Sequence, residues 1–175
     1  SEEEKIVEEV KRDIKKVDDE VKDIIRRTDK AIKDLRREHK ELIDRTRKAI
    51  EELEDEVRKR GDDEKLRRKI RELEKRHERA NEELERKHRK LETDHREMNE
   101  RLKRHIRESE KKLEKDGLRE DLVDELRKLY DTIREKIKRL SDRLREKNEK
   151  LKKESDDLSR RLRKELEKLE REVRR

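Results

Sequence analysis

The chain has 175 residues, of which 65% are charged and 25% hydrophobic, and its 60 basic and 53 acidic residues leave a net charge of +7. It has no proline or cysteine, two glycines and one aromatic residue, which argues against an ordinary α/β or all-β domain, disulfides and thiolate metal sites. Both signs of charge are interspersed and no apolar run exceeds two residues, so we expect a soluble protein without a signal peptide, membrane span or nucleic-acid-binding arm.

Apolar residues recur every 18 residues along three stretches of the chain. Eighteen residues make about five turns of an α-helix, so each repeated position returns to the same face of a straight helix. A seven-residue repeat would instead favour a left-handed supercoil. The repeat therefore predicts long, nearly straight helices. Its positions are Ile6/Ile24/Leu42, Ile14/Ile32/Ile50 and Val17/Leu35/Leu53, then Leu66/Leu84/Leu102, then Leu122/Leu140/Leu158 and Leu126/Leu144/Leu162.

The first predicted helix covers residues 2–60, where Ser1 and Glu4 have the spacing of a capping box. Cationic residues fill its last turn before Gly61, where the negative end of the helix dipole stabilises positive charge. After a turn at 61–62, with Asp62 or Asp63 as the cap, the second helix covers 63–115. A turn at 116–118, containing Gly117, leads to the third helix at 119–174.

Turns this short require neighbouring helices to run antiparallel. The sequence therefore predicts an all-α fold, an antiparallel up-down-up three-helix bundle that forms a single domain over residues 1–175. Three apolar stripes can cover one another almost completely, so little apolar surface remains for a partner. We expect a monomer that binds no nucleic acid, membrane or cofactor.

Polar residues interrupt the apolar stripes at matching levels when the helices are aligned around the turns. A buried imidazole needs both a donor and an acceptor, which hydroxyls on facing helices can provide. A shifted register would leave such groups unpaired, at a cost of ~1–3 kcal/mol each. We therefore predict a structural polar core that fixes helix register. Its layers are Thr28, His95 and Ser141; Thr46, His77 and Ser159; His88 and Asn148, with His39 about one turn away; and Asn81 with Ser155.

Taken together, these features are similar to those of de novo designed, parametrically built three-helix bundles with buried hydrogen-bond networks. The resemblance covers essentially the whole chain and rests on the 18-residue repeat, the Leu/Ile core, the Lys/Arg/Glu surface, the matched layers and the RKRGDDE and KDGLRED turns. It implies a synthetic scaffold, produced in a cytoplasmic expression host, without a natural substrate. Five histidines exceed what such networks usually need.

The residues give less support to more specific functions, such as metal binding or catalysis. His77, His88 and His95 are roughly 16 and 10 Å apart along a helix axis, too far for one tetrahedral metal centre. The sequence has no cysteine nucleophile or glycine-rich phosphate loop, so we predict neither a metal site nor an enzyme. A spectrin-like natural spacer would carry core tryptophans and heptads, which are absent. A pH-responsive switch gated by buried histidines remains the alternative to a scaffold.

Overall fold

The computed structural model describes residues 1–60 and 64–174, and this part of the chain is almost entirely helical. Helix α1 covers Glu2–Arg60, α2 covers Glu64–Glu110 and α3 covers Glu120–Arg174. A short 3-10 turn, Lys111–Glu114, follows α2 directly. No strand occurs in the described ranges. The predicted turn at 61–62 and its cap at Asp62 or Asp63 lie outside the described residues.

The start of α1 has the contacts of a capping box. The backbone amide of Glu4 donates to Ser1 Oγ at 3.3 Å, and the amino group of Ser1 lies 3.6 Å from Glu4 Oε2. Each residue thus satisfies a polar group of the other at the exposed helix end.

The connection from α2 to α3 differs in detail from the sequence prediction. Regular α-helical bonding ends at Glu110, several residues before the predicted end at 115, and the tighter 3-10 turn follows with Leu113 buried. Gly117 has a φ of +90°, a conformation that side chains disfavour, which explains the glycine at this turn. Arg119 then donates from its backbone N and from Nε to the Glu3 carboxylate, both at 3.0 Å.

The described chain divides into two compact units, and each takes a segment from all three helices. Unit one comprises Ser1–Ala31 and Leu91–Glu146, and unit two comprises Ile32–Lys90 and Lys147–Arg175. Every position of the 18-residue repeat is buried or half-buried in its unit. The periodicity therefore identified the core-facing side of each helix.

In unit one, residue numbers fall along α2 as they rise along α1, so the two segments are antiparallel. His105 Nδ1 lies 3.2 Å from Glu20 Oε2, and Ser109 Oγ lies 2.7 Å from Asp13 Oδ2. One cluster in the core of this unit is apolar apart from one tyrosine. Its buried members are Val10, Val17, Val21, Ile24, Leu102, Ile106, Leu113, Leu126, Tyr130, Ile133 and Ile137.

Unit two shows the same antiparallel order. Lys87 Nζ lies 2.8 Å from Glu38 Oε1, and Lys69 Nζ lies 3.2 Å from Glu56 Oε2. No helix in the described ranges is both long enough and apolar enough to cross a membrane. One apolar cluster of this unit consists of Ile43, Ile50, Leu53, Leu66, Ile70, Leu162, Leu166, Leu169 and Val173.

Candidate functional site: the buried histidine networks

One polar network in unit two joins all three helices around His77. His77 Nδ1 lies 2.9 Å from Thr46 Oγ1, and His77 Nε2 lies 3.1 Å from Ser159 Oγ. The imidazole is 2% exposed, so both ring nitrogens depend on these hydroxyls. A hydroxyl can donate or accept, so this layer accommodates either neutral tautomer of the ring.

Asn81 extends this network from the same helix as His77. Its Nδ2 donates to Ser159 Oγ at 3.0 Å. Aligning the helices around the turns predicts that Asn81 lies level with Ser155, which is buried one turn before Ser159 on α3. The hydrogen bond therefore reaches one turn further along α3 than the alignment indicated.

A second network, in unit one, is centred on His95. Asn99 Nδ2 donates to His95 Nε2 at 3.1 Å and forms a shorter hydrogen bond to Ser141 Oγ. Because an amide nitrogen can only donate, His95 Nε2 is the acceptor and Nδ1 carries the proton. Nδ1 then donates to Thr28 Oγ1 at 3.4 Å. His95 and Ser141 are thus connected through Asn99, whereas the sequence analysis predicts them as members of one layer without a residue between them.

Asn99 is a network residue that the sequence interpretation missed. It is 5% exposed, and its Oδ1 is buried with no hydrogen-bond partner among the described residues. The signal that could have found it is the repeat itself, because Asn99 lies 18 residues after Asn81. The two networks are copies of one pattern, with Thr28 and Thr46, His95 and His77, Asn99 and Asn81, and Ser141 and Ser159 as the equivalent residues.

A third network, in unit two, contains two imidazoles in direct contact. His39 Nε2 lies 2.8 Å from His88 Nε2, and His88 Nδ1 forms a short hydrogen bond to Asn148 Oδ1. Because the amide oxygen only accepts, His88 Nδ1 carries a proton, and its neutral Nε2 accepts from His39. The hydrogen bonds therefore point in one direction, from His39 through His88 to Asn148.

Burial keeps three of these histidines neutral at pH 7. The pKa of His39 is lowered from 6.5 to about 4, chiefly by burial and in smaller part by the nearby His88 ring, while Asp156 and Glu38 oppose the change. Burial likewise lowers the pKa of His77, with a smaller contribution from Arg163, and burial alone lowers that of His95.

Ser109 and Tyr130 form another buried polar cluster that the sequence interpretation did not identify. Ser109 Oγ donates to Asp13 Oδ2 at 2.7 Å and bonds closely to the hydroxyl of the fully buried Tyr130. Burial raises the pKa of Asp13, but the hydrogen bonds from Lys112 and Ser109 outweigh it and leave this pKa below its ordinary value. Burial raises the pKa of Tyr130. The sequence signal that could have revealed this cluster is Tyr130 itself, since a buried phenol needs a polar partner.

Within the described residues, no group of three or more His, Cys, Asp or Glu side chains has a geometry that could hold a metal ion. The polar layers instead use hydroxyls and amides, which satisfy neutral imidazoles. Their chemistry is hydrogen bonding within the core.

Comparison with known proteins identifies a similar fold in one solved structure. No protein-family model matches the sequence, and no curated protein matches it. A solved structure described as a "Computationally designed three helix bundle" aligns over 99% of this chain and 84% of its own, with a TM-score of 0.50 and 19% sequence identity. The predicted all-α three-helix bundle is confirmed, and at the level of the fold the chain resembles a designed three-helix bundle.

Proposed function

We propose that the chain is a designed structural scaffold without a natural biochemical activity, in which the polar layers set the register of the helices. The observation that carries the proposal is the repeated Thr–His–Asn–Ser network, found once in each unit. The similarity to a designed bundle at the level of fold supports it. The proposal includes a monomer whose scaffold role requires no enzyme activity, cofactor or macromolecular partner.

The energetics of a register shift support this role. If α2 slipped by two turns toward the C-terminal ends of α1 and α3, His77 would reach the level of Leu53 and Leu166, and each buried polar group left unpaired would cost ~1–3 kcal/mol. A slip by one whole repeat could still match a histidine with a threonine, because the two networks are copies. It would, however, separate His39 from His88, which have no copy in the pattern. The histidine pair therefore removes the ambiguity that the repeat creates.

A distance measurement tests this register function. Spin labels at Glu38→Cys and Lys87→Cys, whose native side chains are 2.8 Å apart, report the register of α1 against α2. We expect one narrow distance distribution in the parent chain. In a variant whose layers are replaced by Val, Leu and Ala, a slip of two turns adds a population displaced by ~10 Å. A single unshifted distribution in that variant would contradict the proposal.

A second candidate is a pH-responsive conformational switch gated by the buried histidines. The observation that favours it is the lowered pKa of His39, His77 and His95. Protonating a buried imidazole below pH 6 opposes folding, because its charge loses solvation by water. Solution mass and far-UV circular dichroism at pH 7.5 and 4.5 separate the candidates. A folded monomer at both values supports the scaffold, and unfolding or reassembly at pH 4.5 supports the switch.

A further inference from the structure

His105 differs from the other four histidines because it faces solvent. Its side chain is 42% exposed, whereas the other four histidines are buried. His105 Nδ1 lies 3.2 Å from Glu20 Oε2 on α1. Because a carboxylate accepts hydrogen bonds, the tautomer of the neutral ring that fits this contact has its proton on Nδ1 and its lone pair on Nε2. Among the described residues Nε2 forms no hydrogen bond, so this lone pair is available to a small molecule.

A cavity of about 240 Å³ in unit one is lined by both members of this pair. Its size is below the ~300–1,000 Å³ of pockets for drug-sized ligands, so it suits a small substrate. Val17, although mostly buried, gives it one apolar contact. Asp13, Glu20 and Glu108 line it together with Lys16 and Lys112, and Lys112 Nζ is paired with Asp13 Oδ2 at 2.7 Å, so Lys16 is the cation in the lining that no carboxylate of the cavity holds. A flat aromatic group can lie against such a surface, with developing negative charge close to an ammonium group.

Ser109 lines the same cavity but is not oriented to act as a nucleophile. Its Oγ donates to Asp13 Oδ2 at 2.7 Å and bonds to the Tyr130 hydroxyl. The hydroxyl proton is therefore directed to a carboxylate, and His105 is not its hydrogen-bond partner in the structure. The imidazole itself is the nucleophile that the cavity presents.

We propose that His105 Nε2 hydrolyses small, activated aryl esters by nucleophilic catalysis, with Glu20 as the positioning residue. Nε2 attacks the carbonyl carbon, and the bond to the aryl oxygen breaks so that an aryloxide leaves with the electron pair. The acyl group is then bonded to Nε2, and Nδ1–H still donates to Glu20. Water adds to the acyl carbon, the N–C bond breaks with its electrons returning to Nε2, and a carboxylate and protons are released.

The glutamate gives this histidine an advantage over free imidazole. A carboxylate at Nδ1 fixes the tautomer whose Nε2 can attack, and it stabilises the positive charge that the acylated ring carries. The activity would be separate from the scaffold role, because it uses one solvent-facing pair outside the three buried networks.

Hydrolysis of p-nitrophenyl acetate at pH 7.5 by the full chain tests the proposal. We expect several turnovers per chain and a second-order rate constant about fivefold above that of free imidazole. His105→Gln should remove nearly all of this excess while the far-UV circular dichroism stays unchanged. A parent chain no faster than imidazole, or a His105→Gln variant as fast as the parent, would overturn the proposal. Release of p-nitrophenol matched by an equal number of acetyl groups retained on the chain, as expected for acylation of its lysines, would also overturn it.

The role of Glu20 has a separate spectroscopic test. In the parent chain, ring ¹⁵N shifts should report the Nδ1–H tautomer of His105. Glu20→Gln should shift this ring toward the Nε2–H tautomer and lower the rate about threefold. Asp19→Asn removes the same charge from the neighbouring exposed residue and should change neither quantity. An unaltered tautomer in Glu20→Gln would overturn the positioning role, and the parent spectrum tests the assignment without any substitution.

Discussion

His39 Nε2 lies 2.8 Å from His88 Nε2 in the core of unit two, so a single proton occupies the space between two buried imidazoles. The short bond from His88 Nδ1 to Asn148 Oδ1 fixes the direction of the chain of hydrogen bonds. A first added proton can bind at His39 Nδ1 without breaking either bond. A second would place two N–H groups against each other, and the pair would have to open.

This pair should give the protein a stability that falls in acid. The pKa of His39 is about 4 in the folded chain and ~6.5 in the unfolded chain. The stabilisation is complete above pH 6.5 and is lost as the pH falls toward 4, because in that window only the unfolded chain takes up the proton. The loss is on the order of 3 kcal/mol for this residue. Guanidinium unfolding at pH 7.5 and 4.5 measures it.

The matched variant replaces both histidines, His39→Leu with His88→Leu, so that no imidazole nitrogen of the pair is left in the core without its hydrogen-bond partner. Its free energy of unfolding should change less between pH 7.5 and 4.5 than that of the parent chain. His105→Gln, at the exposed histidine, should retain the parental difference. Equal acid sensitivity in the double variant and the parent would contradict the role given to this pair.

Two threonines provide a test of the polar layers at neutral pH. Thr46 is 3% exposed and lies 2.9 Å from His77 Nδ1. Thr46→Val leaves that nitrogen without its partner, so we expect a loss of about 1–3 kcal/mol at pH 7.5. Thr132 is exposed and bonds only to the carbonyl of Lys128 on its own helix. Thr132→Val should change stability by less than about 0.5 kcal/mol, and equal losses at both sites would contradict a structural role for the buried layer.

The two copies of the network should respond differently to loss of their asparagine. Asn99 contacts both His95 and Ser141, whereas Asn81 contacts only Ser159, and His77 keeps both of its hydroxyl partners. Asn99→Ala should therefore destabilise the chain by about 1 kcal/mol more than Asn81→Ala. Thermal or chemical unfolding of the two variants at pH 7.5 measures the difference. An equal or reversed order would show that Asn99 does not link His95 to Ser141.

Asn99 also shows how far sequence reasoning reaches in this chain. The 18-residue period identifies which helix face is buried, and antiparallel alignment gives the level of a residue along the bundle to within about one turn. Which atoms then bond depends on side-chain torsions, which the alignment does not contain. Alignment of the helices therefore predicts that Thr28, His95 and Ser141 share one level. It does not predict that Asn99 bonds to both His95 and Ser141. The end of α2 at Glu110 was missed for a related reason, because the apolar period continues through the buried Leu113 and does not distinguish a 3-10 turn from an α-helix.

Tyr130 offers a final test, because its ring and its hydroxyl have separable roles. The side chain is completely buried among the apolar residues of unit one, and its hydroxyl bonds closely to Ser109. Tyr130→Phe keeps the ring and leaves Ser109 bonded to Asp13, so we expect a loss of only about 1 kcal/mol. Tyr130→Leu removes part of the ring volume as well and should cost more, while Tyr130→Ala should cost about 3–5 kcal/mol through the cavity it leaves. Chemical unfolding at pH 7.5 gives the three values. Equal losses for Phe and Ala would mean that the hydroxyl, and not packing of the ring, gives Tyr130 its structural importance.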